Sequence, residues 1–339
     1  MIELRSDSFT QPTERMRRAM AEAPVGDDGY GEDPTVRALE RLAADTLGHD
    51  DACLMPSGTM ANLAAAMTHA PRGAAVVVGD DSDVHRFESD GFAVCGGLRY
   101  LPLPTDTAGR LPLPDLAAAC AAERPRLICL ENTHGLRGGA VLPPDHLAEV
   151  RAVADAHGIP VHLDGARLFH AAVALGVPVA ALAGHAHSVQ ICLSKGLCAP
   201  VGSLLAGSTE FVAAARDVRR MLGGQMRQAG TLAAAGIVAL TEMPSRLAED
   251  HEHARLLAEG LAAIPGVALH TPQRTNIVFF TVPDGRIKHA ELVARAHDAG
   301  VALAMRGGEG PIRAVLHAGV TRRDVTRAVA VIAGLVPDR

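Results

Sequence analysis

At 339 residues with a formal net charge of −6, the chain is long enough for two domains and too acidic to offer a nucleic-acid or anionic-membrane surface. Hydrophobic residues make up 48% and charged residues 21%; with no Trp and 3% aromatics, Ala, Leu and Val must fill the core. The first residues lack a signal-peptide stretch, the apolar runs around 171–184 and 229–240 are too short to span a bilayer, and six cysteines without Cys-x-x-Cys spacing point to a reduced, cytoplasmic setting.

In chain order, the pattern predicts helices over 35–46 and 59–68, then strands over 75–78 and 127–130. A helix over 145–157, strands over 160–163, 189–193 and 202–205, and a helix over 210–221 follow. Strands alternating with helices are the signature of an α/β fold on a largely parallel sheet. The run Leu127-Ile128-Cys129-Leu130 reads as a strand buried on both faces. From residue 243 the texture changes. Pro244 opens a long helix through Leu261, followed by strands over 267–270 and 276–282 and a helix over 289–299. Strands over 301–305 and 312–317 and a helix from Thr321 close the chain. This suits a large domain over 1–243, whose N-terminal segment contributes to the site, and a small α+β domain over 244–339.

Ligands of open α/β sheets bind beyond the carboxyl ends of the strands. Here polar residues follow the predicted strand ends repeatedly: Glu131 to His134, Asp164 to Arg167, and Ser194-Lys195-Gly196. Ser57-Gly58-Thr59 precede a helix whose N-terminal N–H groups and dipole favour a phosphate. Together they offer a phosphate cradle, a buried acid, a lysine and an arginine, the set that pyridoxal 5'-phosphate chemistry requires. A lysine amine forms the Schiff base, made nucleophilic by desolvation and cationic neighbours. A carboxylate keeps the pyridine nitrogen protonated so that the ring draws electrons, and an arginine captures the substrate carboxylate. Taken singly, each residue has a plainer reading as an N-cap, a solvated strand end or a turn residue. Their order and strand placement together single them out.

The blocks that carry a family resemblance are Leu4-Arg5-Ser6-Asp7, the run from Gly26 to Thr35, Pro56-Ser57-Gly58-Thr59-Met60, and Leu130-Glu131-Asn132-Thr133-His134. Leu163-Asp164-Gly165-Ala166-Arg167, Leu193-Ser194-Lys195-Gly196-Leu197 and the run from Met221 to Gly230 continue it. With these, the sequence resembles the low-specificity L-threonine aldolases of the β-eliminating lyase group, fold-type I pyridoxal-phosphate enzymes, through nearly its whole length. The resemblance implies that Lys195 carries the cofactor, Asp164 pairs with its pyridine nitrogen, and Ser57, Gly58 and Thr59 form the phosphate end. It implies that Arg167 approaches the ring oxygen or the substrate, that Ser6 and Arg313 hold the substrate carboxylate, and that His134 lies by the substrate hydroxyl. Family sites form between subunits. Tyr30, toward the substrate, and Arg227, toward the cofactor, are therefore expected to reach a neighbouring protomer's site in a homo-oligomer, a dimer of dimers.

Family members carry Ser-His on the strand end after the phosphate helix, and that histidine stacks on the cofactor ring. In this sequence Ser82 on one side and Arg86-Phe87-Glu88 on the other fix the register, so Asp83 holds the stacking position. A carboxylate has no aromatic face and is a weaker base than imidazole, with pKa values of about 3.9 against about 6.5. On an extended segment His85 would share the face of Asp83 and take over part of the missing imidazole's role. Gly29, Gly135, Cys198 and Gln225 also depart from the family pattern. Two readings of Asp83 stand. One is an ordinary aldolase, cutting threonine, allo-threonine or related β-hydroxy-α-amino acids to glycine and an aldehyde, with His134 or water moving the proton. The other is altered chemistry on the same scaffold, as an amino-acid racemase, a transaldolase or a β-eliminating lyase. A third, a non-catalytic protein of this fold, sits poorly with an intact Lys195, Asp164 and Arg313. No catalytic-zinc motif accompanies the pairs His185/His187 or His251/His253, so a metal is not expected.

Overall fold

The computed structural model describes every residue except 89–90, 273, 306–309 and 338–339. A short strand, β1 (Ile2–Glu3), precedes seven that build one sheet: β2 (Asp51–Met55), β3 (Ala75–Gly79), β4 (Arg99–Leu103), β5 (Leu127–Glu131), β6 (Val161–Asp164), β7 (Ser188–Cys192) and β8 (Ser203–Gly207). Their order is β2-β8-β7-β6-β5-β3-β4, and all run the same way except β8, which is antiparallel to both β7 and β2. Helices cover both faces, and the strands show it residue by residue. Ile128 and Leu130 join the core on one face while Leu127 and Cys129 join that on the other. Ala52 and Leu54 are likewise split from Cys53 and Met55. Alternation of side chains turns double burial into an unbroken apolar run.

The helix expected over 35–46 is Pro34–Leu47, capped by Asp33, whose side chain accepts from Thr35 and Val36 N–H, with Pro34 at the first position. The helix expected over 59–68 is Gly58–His69, capped by Ser57. Four further helices of eight residues or more, Glu14–Glu22, Leu113–Glu123, Leu168–Leu175 and Gly230–Glu242, and the strands β2 and β4, fall where the pattern predicted no element. No described helix is long and apolar enough to cross a membrane.

The later strands are β9 (Ala268–Leu269), β10 (Ile277–Thr281), β11 (Val301–Ala302), β12 (Ala304–Met305) and β13 (Ile312–Val315). An antiparallel sheet of order β12-β13-β10-β9 packs with the helices Leu247–Ala262, His289–Asp298 and Arg322–Leu335 around a second core. Ile2 and Leu4 belong to that core. β1 pairs in parallel with β11, and Val315 N–H donates to the Leu4 carbonyl at 2.8 Å. The N-terminal segment thus runs along the second sheet before it turns back to the first.

Candidate active site

The carboxyl edge of the large sheet collects the polar residues that the sequence placed at strand ends. On β6, Val161 and Leu163 point into one core, so His162 and Asp164 point to the opposite face, beneath the helix Gly58–His69. On β7, Val189 and Ile191 do the same, leaving Ser188, Gln190 and Cys192 on that face. Asp164 is 4% exposed and fully engaged. Its Oδ1 accepts from the Gln190 amide at 2.6 Å and from Ala166 N–H at 3.1 Å, and its Oδ2 from Asn62 at 3.0 Å.

Ser57, Gly58 and Thr59 open the helix above. A Cβ on Gly58 would lie 2.8 Å from Cys192 Sγ, so a larger residue there would force the buried Cys192 side chain or the helix start to move. The Ser57 hydroxyl caps Met60 N–H, and the Thr59 hydroxyl donates to Glu88 at 2.6 Å. Burial, together with the Asp164 charge, pushes the Glu88 carboxyl up to about 7. Lys195 follows β7 and is half-buried; the Thr10 hydroxyl holds its carbonyl at 2.8 Å.

Arg167 clamps Asp7 through Nε and one terminal nitrogen at 2.7 and 2.6 Å, and both residues are buried. Burial alone would raise the Asp7 carboxyl, but the Arg167 charge and hydrogen bonds, with Lys195 adding to them, hold it well below the usual carboxylate range. The pair ties the turn after Ser6 to the large sheet, while Asn276 bridges Asp7 (3.3 Å) to the Leu316 carbonyl (3.0 Å) at the end of the second sheet. Removing one partner of such a buried pair typically costs about 3–5 kcal/mol. No local pattern in the sequence marks Asp7 or Asn276, although Asp7 stands in the block Leu4-Arg5-Ser6-Asp7. Arg313 lies buried on β13, opposite Phe279 of β10.

A third group surrounds His134, which is 1% exposed. Its Nε2 lies 3.2 Å from Asp81 and 3.9 Å from Glu131, and its ring rests on Gly109 (φ +78°), where a Cβ would come within 2.5 Å. Burial opposes a charge on the imidazole, yet the carboxylates of Glu131, Asp81 and Asp83 outweigh it and raise its pKa. Asp81 also pairs with Arg137 and accepts from Thr105 at 2.6 Å. Glu131 ties two loops together, one oxygen accepting from Asp83 N–H at 2.9 Å and the other from Gly135 N–H at 2.7 Å. Burial is the main cause that pushes its carboxyl up to about 7.

The expectation for His85 is corrected. Asp83–Arg86 is a single helical turn, not extended chain, so the two residues do not share a face. His85 instead turns its Nδ1 to the Asp80 carbonyl at 2.9 Å and its ring toward Tyr100. Asp83 faces Gly135.

Tyr30 and Arg227 sit together on the surface, outside this cluster. Tyr30 is 79% exposed, Asp28 N–H donates to the Arg227 carbonyl at 3.0 Å, and the Arg227 side chain reaches Asp27 at 3.2 Å.

The donor set fits pyridoxal 5'-phosphate. A buried carboxylate held by three donors, a helix start crowded against β7, and a lysine on the adjoining strand end lie along one sheet edge. Fold and site together define a fold-type I pyridoxal-phosphate enzyme. The sequence matches the β-eliminating lyase family over residues 3–284. It is 43% identical over 333 residues to a low-specificity L-threonine aldolase of Arabidopsis thaliana, covering 96% of this chain and 93% of that one. It is 42% identical over 287 residues to the low specificity L-threonine aldolase of Escherichia coli, covering 83% and 85%. In fold it is similar to a threonine aldolase of Leishmania major, with a TM-score of 0.83 over 99% of this chain and 100% of that one at 20% identity. The chain belongs to the low-specificity L-threonine aldolase family of β-eliminating lyases.

Proposed function

We propose that the protein cleaves L-threonine, L-allo-threonine or related β-hydroxy-α-amino acids to glycine and an aldehyde. The observation that carries this reading is the line of Asp164, Lys195 and the Gly58 helix start along one sheet edge, with His134 and its acids beside them. The relatives' names favour aldol cleavage over racemisation, transaldol transfer or β-elimination.

In this reading Lys195 holds the cofactor aldehyde, Asp164 meets the pyridine nitrogen, and the N–H groups at the start of Gly58–His69 meet the phosphate, with Ser57 and Thr59 shaping that end. When bound, pyridoxal phosphate supplies an electron sink for the pair left at Cα. Arg313 and Ser6 bind the substrate carboxylate, which orients the bond to be broken. Arg167, committed to Asp7, acts on the ring side as a fixed positive wall. His134 takes the proton from the β-hydroxyl as that oxygen becomes the aldehyde oxygen. Its raised pKa, set by the carboxylates around it, makes it a stronger base than an ordinary imidazole. The exposed Tyr30 and Arg227 complete a partner's site in a homotetramer, and the chain works in the cytoplasm. Its first core ends near residue 243, with residues 244–339 forming the small domain that β1 joins.

Product analysis of the purified protein with a panel of β-hydroxy amino acids, serine and alanine tests the proposal. Glycine and acetaldehyde in equal amounts from threonine are expected. Pyruvate from serine, or D-alanine from L-alanine, without glycine from threonine would overturn it.

A further inference from the structure

Asp164 does not stand alone beneath the helix Gly58–His69. The Asn62 side-chain amide donates to Asp164 at 3.0 Å and to Glu88 at 3.1 Å, and its oxygen lies 3.0 Å from His162 Nε2. Carboxylate oxygens accept, so the amide nitrogen must face them and the carbonyl must face the histidine. His162 Nε2 therefore carries the ring proton, and Nδ1 is the acceptor. Ser188 Oγ, 2.9 Å from that Nδ1, gives it its single proton, and its lone pairs then accept from His69 Nε2 at 2.8 Å. Asn62, His162 and Ser188 are each at most 1% exposed. Every donor in the series points the same way, from His69 through Ser188, His162 and Asn62 to Asp164. Hydrogen bonds aligned like this polarise one another. Burial keeps both histidines neutral, at about 3 for His162 and about 4 for His69, so the series itself carries no charge at neutral pH.

We propose that Asn62, locked in orientation by His162, Ser188 and His69, is a positioning residue that holds the Asp164 carboxylate aimed at the pyridine nitrogen of the bound cofactor. The inference rests on the role given to Asp164 above. Without the Asn62 donor, Asp164 keeps only Gln190 and Ala166, both on Oδ1, so Oδ2 is no longer fixed and the ring nitrogen is held less firmly in its protonated form.

The test is made on dialysed enzyme reloaded with pyridoxal phosphate labelled with 15N in the ring. It reads the cofactor dissociation constant and the ring-nitrogen chemical shift. Asn62→Leu should weaken cofactor binding about tenfold or more, since the lost bond is to a charged group, and move the nitrogen signal toward neutral pyridine. His162→Leu should shift both in the same direction by less. His162→Gln, whose amide can donate to the Asn62 oxygen and accept from Ser188, should recover the wild-type signal. A wild-type ring-nitrogen signal in Asn62→Leu, or His162→Gln as defective as His162→Leu, overturns the inference. If Asn62→Leu does not fold, the His162 pair decides. Wild-type protein that takes up no cofactor would instead defeat the reading of the site itself.

Discussion

A methyl group placed on Gly135 would sit 3.2 Å from Glu131 Oε1 and 3.5 Å from Asp83 Oδ1. Gly135 and Asp83 both depart from the family pattern, and in the fold they face each other. Gly29 and Gln225 repeat the relation, a Cβ on Gly29 falling within 2.3 Å of Gln225 Nε2. Four of the departures scattered through the sequence, all but Cys198, are thus two local exchanges, in which a glycine makes room for a polar neighbour. The contact predicts coupling. Gly135→Ala should destabilise the wild type more than it destabilises Asp83→Ala, with a coupling of about 0.5–3 kcal/mol by urea unfolding. Strictly additive effects would separate the two positions. At this scale the sequence showed Lys195, Asp164 and Arg167 because each follows a strand. It did not show Asn62, His162 or Gln190, although polar residues inside otherwise apolar elements signal a buried partner. Their partners lie about a hundred residues away for Asn62 with His162, and no local pattern names them.

The elements legible in sequence were those whose burial leaves a local mark. β5 is apolar at four consecutive positions, and the helices Pro34–Leu47 and Gly58–His69 begin at caps. β2 opens on Asp51, and β4 is an edge strand with Pro102 inside it, a composition that argues against a strand. The helix Gly230–Glu242 is apolar on nearly every side and so lacks the amphipathic period that reveals a surface helix. The helical turn Asp83–Arg86 was hidden for another reason. Four residues are too few to show a period, so extended chain was the default and His85 was assigned to the wrong face. The parallel pairing of β1 with β11 joins residues some three hundred apart, and only the folded chain brings them together.

Across the whole molecule, buried titratable groups set the response to acid. His69, His162, His170 and His251 are held neutral, at about 4, 3, 3 and 4, with burial the leading cause in each. In the unfolded chain they titrate near 6.5, so below that pH the unfolded state binds protons that the folded state refuses. Glu88 and Glu131, raised to about 7, act with the opposite sign, since the folded state keeps their protons up to that pH while the unfolded state has lost them above about 4.5. The histidines outnumber the glutamates. Stability should therefore fall from pH 6.5 to 4.5, by about 1.4 kcal/mol per pH unit for each net proton taken up on unfolding. A melting temperature that holds steady or rises over that range would contradict this assignment.

The proposed activity of this chain depends on a cofactor joined to the lysine that follows β7. Borohydride fixes an imine between pyridoxal phosphate and a lysine as a stable amine, and peptide mass mapping then locates it. The reduced enzyme should carry one phosphopyridoxyl group per chain, on the peptide containing Lys195, and Lys195→Ala should carry none. A group on any other lysine, or an enzyme that cleaves threonine at the wild-type rate after Lys195→Ala, would contradict the account.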